Sequence, residues 1–332
     1  MSWGAAAAGR RWKDGGVTPP AQQETQALGA LTRAREVAED HMVRAERAGL
    51  SWREETISEL LWVHAVPFVR CADFTRHEEK VVGADWLWWW VDELGECFGM
   101  LVQAKRMKLA TGGDPELDFM HNKGEQMKRL LRSADQLGVP SVYALYFGGA
   151  DFRGRLTCGT DEHTEAGCRR CSRASVSVLT SLQARRAAGG SKRDAAVQSF
   201  RGSVPLEDLV DPLAAARPVH DLNLKQAVPE MRDFLTQPQS GARGVAKEVL
   251  RAISDERLMQ FSALVAERVR LHDDLIFPEL PTDSGHFAEP YFPFVLRGLR
   301  SRPPSYVSDI LADQPVPSEV SDLVGGVVVV RC

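Results

Sequence analysis

The sequence predicts an α/β fold: a mixed sheet flanked by helices, with core elements in the order αβββαβ and a helical C-terminal extension. Three observations predict it. Apolar runs of strand length, bounded by Gly, Pro and Asp, recur between residues 68 and 147. Stretches with apolar side chains at i, i+3, i+4 and i+7, the period of a helix face, lie before and between them. Val327-Val328-Val329-Val330, after Gly325-Gly326, reads as a last strand that returns to the sheet. With 332 residues, 44% of them hydrophobic, the chain can bury a sizeable core.

Residues 1–25 are rich in Gly, Ala, Pro and Gln without periodicity and predict a disordered tail. Leu28, Leu31, Ala34, Met42 and Ala45 predict a helix over 26–48, stopped at Gly49. Ile57, Leu60, Leu61 and His64 form the face of a second helix, which Pro67 stops. Its start is open: Ser51-Trp52-Arg53-Glu54 and Thr56-Ile57-Ser58-Glu59 both have the form of a capping box. Strands follow at 68–76, 84–91 and 99–107, with connections short enough for an antiparallel meander. Met127, Leu130, Leu131 and Ala134 predict a helix over 121–137, capped by Gly138. Val142 to Phe147 is a fourth, buried strand. Beyond it, helices are expected over 174–188, 223–235 and 244–271, and an aromatic, loop-rich stretch over 278–304.

Composition removes some function classes. The net charge is −4, so no global basic field recruits nucleic acid. Charge is uneven, however. Residues 151–201 hold ten Lys/Arg against five Asp/Glu, a local +5, and Lys105, Arg106, Lys108, Lys123, Lys128, Arg129 and Arg132 lie close together in sequence. A phosphate-facing side can therefore be basic on an acidic protein. No apolar run reaches the roughly 18 residues that would span a bilayer. The Ala5–Ala8 run has its charges after it, the reverse of a secretory signal, so no membrane association and a cytoplasmic location are expected. Oligomeric state is open, a dimer included.

The pattern that carries chemistry is a carboxylate, Asp85, entering one strand, then Gln103 and Lys105 two positions apart in the next. Residues i and i+2 of a strand share a face, so Gln103 and Lys105 point into one pocket while Ala104 points away. Metal-dependent phosphodiester hydrolysis needs such a set. Oxygen ligands hold a divalent ion beside the phosphate, and a lysine orients the attacking water and offsets growing negative charge. An Asp after Gly-Ala also fits a turn, and an inward Gln also fits a satisfied core amide. Lys105 is harder to read blandly, because it interrupts a nearly apolar strand. An upstream acid is sought at the start of the second helix. On the wheel Glu54 faces the core beside Ile57 and Leu61, whereas a start at Thr56 leaves Glu55 unconstrained.

Gly83-Ala84-Asp85-Trp86 in one strand, Gln103-Ala104-Lys105-Arg106 in the next and a Gln-bearing helix after them resemble the PD-(D/E)xK, restriction-endonuclease-like nuclease superfamily. They are most similar to its Mrr-like QxK branch and to a set of bacterial proteins sharing these motifs. The resemblance covers roughly residues 50–150. It implies a nuclease-like core over 26–150, with Mg²⁺ or Mn²⁺ held by Asp85, Gln103, the Ala104 carbonyl and a helix glutamate. The Glu-Glu-Thr pattern favours Glu55 for that glutamate. Lys105 then places the water and Gln126 frames the site. DNA is the implied substrate, and restriction or phage defence the implied setting. Gln103 departs from the acidic residue in the superfamily's name, which leaves open a non-catalytic nucleic-acid-binding protein.

Cys158, His163, Cys168 and Cys171 read C-x₄-H-x₄-C-x₂-C, four ligands suited to tetrahedral Zn²⁺. They lie in a segment, 151–220, expected to be a cysteine-bearing basic insertion and helix. Residues 221–332 are expected to form the helical extension whose last strand returns to the core. A zinc-stabilised interaction module is a third functional reading. Trp86, Trp88, Trp89 and Trp90 predict a strand covered on both faces rather than a base-stacking platform.

Overall fold

The computed structural model describes residues 20–74, 84–154, 156–159, 163, 167–219, 227–258, 267–270, 274–277, 279–282 and 290–332. The expected disordered tail lies outside the described residues up to position 19, as does Gly83 of the Gly-Ala-Asp motif. Helix α1 spans Pro20–Arg47, so it starts inside the stretch read as tail.

After α1 come α2 (Glu54–His64), β1 (Val69–Asp73), β2 (Trp86–Val91), β3 (Cys97–Arg106), α3 (Glu125–Leu137) and β4 (Ser141–Tyr146). The chain order of this core is thus αβββαβ. Four further strands join the same sheet: β5 (Val176–Thr180), β6 (Val204–Pro205), β7 (Leu299–Arg300) and β8 (Gly326–Arg331). The order across it is β1-β8-β2-β3-β4-β5-β6, with β7 pairing the start of β3. The result is a mixed α/β sheet flanked by helices. Among the described residues no helix is long and apolar enough to cross a membrane.

Three expectations change. The first three strands are not a meander, because β8 runs between β1 and β2, antiparallel to the former and parallel to the latter. An apolar C-terminal strand is well suited to a place with neighbours on both edges. Residues 174–188 are not one helix. Val176 to Thr180 form a fully buried strand, and Thr180 caps the helix Ser181–Ala187 with a capping box. The segment read as an insertion therefore extends the sheet. The helix expected to reach residue 271 spans Gly241–Leu258, and Glu267–Arg270 pairs with Glu279–Thr282 as a two-stranded ribbon.

The alternation along β2 and β3 explains the core. Trp88, Trp90, Met100, Val102 and Ala104 pack on one face with Leu31, Ala38, Ile57 and Leu61 of α1 and α2. Leu87, Trp89 and Leu101 pack on the other with Met127, Leu130 and Ala134 of α3. Burying an indole of roughly 200 Å² at about 25 cal/mol per Å² stabilises by about 5 kcal/mol before ordering entropy is counted. Trp88, Trp89 and Trp90 are all fully buried. This two-sided anchoring fixes β2 and β3 against each other, with Trp86 opposite Val102. Asp85 is thereby set beside the C-terminal half of β3.

Candidate active site and metal-ligand cluster

Asp85 lies just before β2, where its amide still donates to Val102 O (3.1 Å) and extends the ladder to β3. Its Oδ2 accepts two hydrogen bonds from β3, from Gln103 Nε2 (2.5 Å) and from Ala104 N (2.7 Å). Gln103 and Lys105 follow Leu101 by two and four residues and share its face, while Ala104 packs in the opposite layer. Lys105 Nζ donates to Gln126 Oε1 (3.1 Å) in the first turn of α3. The three motif residues and Gln126 are thus brought to one end of β3.

The helix acid that reaches this end is Glu54. Helix α2 starts at Glu54, and the residue before it, Arg53, makes no side-chain cap. Neither capping box read from the sequence starts this helix. Glu54 Oε1 instead accepts from Arg106 N (2.8 Å), the next backbone donor after Lys105. Glu55 is exposed. The core-facing side of the helix wheel identified the inward residue, and the pattern favouring Glu55 did not.

Burial sets the electrostatics. It pushes the Glu54 carboxyl above the usual range, opposed by the Arg106 N–H and by Lys105. It pulls the Lys105 ammonium below its usual range, opposed by Glu54, Asp118 and Asp85. Both groups are held closer to neutrality than their free counterparts, which is common where proton transfer is performed.

Several residues of this site have no marker in the sequence. Tyr146, opposite Arg106 in the parallel β3–β4 pair, has a buried hydroxyl 2.7 Å from Ser58 Oγ. Ser58 Oγ bonds Glu54 O (3.0 Å). Burial raises the Tyr146 pKa, and the Asp85, Glu54 and Glu55 charges raise it further. The Arg106 guanidinium donates to Trp52 O and sits over the Trp52 ring at 5.7 Å. These contacts clamp the start of α2 onto the end of β3. A buried Tyr in a strand run looks like core until the partner strand is known.

The donor set suits a hard divalent cation. Asp85, Glu54, the Gln103 amide oxygen and the Ala104 carbonyl are all oxygen ligands of the kind Mg²⁺ and Mn²⁺ take. One feature must change for Gln103 to serve. Its Nε2 faces Asp85, so ligation requires the terminal amide to turn by 180° and present Oε1.

The second cluster is formed as the spacing predicts. Ligand atoms of Cys158, His163, Cys168 and Cys171 all lie within 4.8 Å of one another. Cys158 Sγ is 3.5 Å from both His163 Nδ1 and Cys168 Sγ, and Cys171 Sγ is 3.6 Å from His163 Nδ1. Zn–S bonds of about 2.3 Å and Zn–N bonds of about 2.0 Å give tetrahedral edges of roughly 3.5–3.8 Å. The cluster is compatible with zinc.

The arginines beside it have partners within the protein. Arg169 pairs with Asp211, and Arg173 with Asp208 (2.5 Å), Asp211 (2.7 Å) and Glu207 (3.2 Å). Arg170 donates to the carbonyls of Arg201 and Ser203. Buried Glu207 also takes Arg35 of α1 at 2.9 Å. Three of the ten basic residues behind the local +5 are engaged in this way, and the acids that pair Arg169 and Arg173 lie just past the window in which it was counted.

The chain matches, over residues 29–331, a family model described as a family of unknown function, DUF6615. No curated protein and no solved structure matches it. The family match spans α2, the whole of the sheet and both residue clusters, and the chain belongs to DUF6615.

Proposed function

We propose that the protein is a metal-dependent nuclease that hydrolyses phosphodiester bonds of nucleic acid, with DNA as its substrate. The observation that carries this reading is the meeting of Asp85, Gln103, Lys105, Glu54 and Gln126 at one end of β3. Asp85, Gln103 and Glu54 would hold Mg²⁺ or Mn²⁺, which supplies Lewis-acid charge at the scissile phosphate. The chain's own residues do the rest. Gln126 orients Lys105. Lys105, whose pKa burial lowers, accepts the proton of the attacking water at Nζ. The water oxygen bonds to phosphorus, the bond to the leaving oxygen breaks, and the leaving oxygen takes a proton from solvent. A place in restriction or phage defence rests on the sequence resemblance alone. The Cys158, His163, Cys168 and Cys171 cluster would hold a structural zinc, since four protein ligands leave no open position for water.

Purified protein incubated with plasmid, linear duplex and single-stranded substrates tests this. Cleavage is expected with Mg²⁺ or Mn²⁺ and none with EDTA. Absence of metal-dependent cleavage on every substrate would remove the enzymatic reading.

A second reading, a non-catalytic nucleic-acid-binding protein, is favoured by the Gln103 amide, which contributes no charge and turns its nitrogen toward Asp85. Gln103→Glu separates the two. An enzyme cleaves before the change. A protein that binds DNA without cutting, and gains cleavage only with the added carboxylate, is the binder.

A further inference from the structure

We propose that Gly325, at the entrance of the C-terminal strand, is a positioning residue for Asp85, so that the metal site is complete only when β8 is seated between β1 and β2. This rests on the reading of Asp85 as a metal ligand.

Three observations converge on Gly325. Its N–H donates to Ala84 O (3.3 Å), and its carbonyl accepts from Phe74 N (3.0 Å). One residue thus ties together the chain leaving β1 and the chain entering β2. A Cβ built on Gly325 would stand 2.8 Å from Asp85 O, with Asp85 C and Cα at 3.7 and 3.8 Å. That approach is closer than carbon and oxygen tolerate, and the atom it meets is backbone, which cannot swing aside like a side-chain tip. Asp85 is also held from the other edge, because its N–H bonds Val102 O on β3. Any side chain at 325 therefore pushes the Asp85 peptide against β3, where Oδ2 is matched to Gln103 Nε2 at 2.5 Å and Ala104 N at 2.7 Å. A displacement of a few tenths of an ångström matters little to a core but much to a ligand set, because metal-ligand distances are held to about 0.2 Å.

The test measures metal binding, not turnover. Mn²⁺ affinity is read by titration in the Lys105→Ala background and without nucleic acid, so that no turnover enters the measurement. Gly325→Ala should weaken Mn²⁺ binding at least tenfold while circular dichroism shows the fold retained. A folded Gly325→Ala protein that binds Mn²⁺ within twofold of its parent overturns the proposal. The Gly326→Ala comparison separates positioning from general cost in this strand, since a Cβ there meets the Trp86 ring and Ala72 O rather than Asp85. It should lower Tm while keeping more of the Mn²⁺ affinity than Gly325→Ala does.

If Gly325→Ala does not fold, hydrogen exchange on the Gly325-containing protein decides. Coupling is reciprocal, so saturating Mg²⁺ should slow exchange of the Gly325 amide together with those of Asp85 and Ala104. Protection of Asp85 and Ala104 with no change at Gly325 overturns the proposal. A Gly325-containing protein that binds no Mn²⁺ at all would instead sink the reading of the site on which it rests.

Discussion

At Lys105, burial pulls the ammonium pKa down while Glu54, Asp118 and Asp85 pull it back up. At Glu54, burial raises the carboxyl pKa while Arg106 N–H and Lys105 lower it. The signs give a pH profile. In the proposed mechanism neutral Lys105 is the base, so cleavage should rise with pH toward a pKa below the ordinary 10.5 of lysine. If Glu54 is a ligand as proposed, proton and metal compete for it, so Mn²⁺ affinity, and cleavage with it, should fall as pH drops through the metal-free Glu54 pKa, which burial raises above the ordinary 4.5 of glutamate. Lys105→Ala should reduce the rate by a factor of about 100 or more and abolish the alkaline rise. A pH–rate profile of the two proteins under single-turnover conditions checks both statements, and an unchanged profile in Lys105→Ala would remove it as the base. Gln103 and Lys105 were legible as a pair because strand geometry puts i and i+2 on one face, whereas Asp85 was picked out by its place at the entry to the preceding strand and by the motif resemblance. Glu54 was legible from the helix wheel. Tyr146, Ser58 and Gly325 were not, because their place depends on partners 88, 88 and some 240 residues away in the chain.

Two elements turn on which charges are already satisfied. The short helix Arg169–Arg173 starts at the cysteine cluster and directs Arg169 and Arg173 into Glu207, Asp208 and Asp211. Zinc bound there would hold that helix in the carboxylate cluster and, through Glu207, against Arg35 of α1. Cys168→Ser, or a strong chelator, should therefore lower stability by about 2–4 kcal/mol and speed hydrogen exchange over 206–211. Elemental analysis of the untagged protein should show one zinc per chain, and less than about a tenth of an equivalent would mean these are plain loop cysteines. The other element is the lysine-bearing stretch that follows Lys105 in the chain. Lys108 and Lys123 are exposed, whereas Lys128 pairs with Glu125 and Lys192 with Asp118. Lys123 is presented by a turn in which it and Asn122 adopt positive φ (59° and 50°). Lys108→Ala and Lys123→Ala should each lower the salt-dependence slope of DNA binding by about 1, and Arg170→Ala should leave it unchanged. The reverse result would restore the arginine segment as the DNA-facing surface. Sequence could count these charges but not say which are paired, because partners come both from the same helix turn (Lys128 with Glu125) and from separate segments (Lys192 with Asp118).

For the whole molecule, the α/β class, the αβββαβ order and the returning last strand were readable from apolar period and strand length. The sheet order was not. A run of valines states that a strand is buried but not between which neighbours, and the place between β1 and β2 is decided by the pairing of Val327–Arg331 with Leu87–Val91. That pairing links the fold to the site, because the two-sided packing of β2 and β3 and the insertion of β8 together fix Asp85 against Gln103. The most direct measurement is anomalous scattering from crystals soaked in Mn²⁺. A Mn²⁺ peak bound by Asp85 and Gln103 is expected, with ligand oxygens at about 2.1–2.2 Å and the Gln103 amide turned to present Oε1. No peak beside Asp85 at millimolar Mn²⁺, with metal present only at the cysteine cluster, would contradict it.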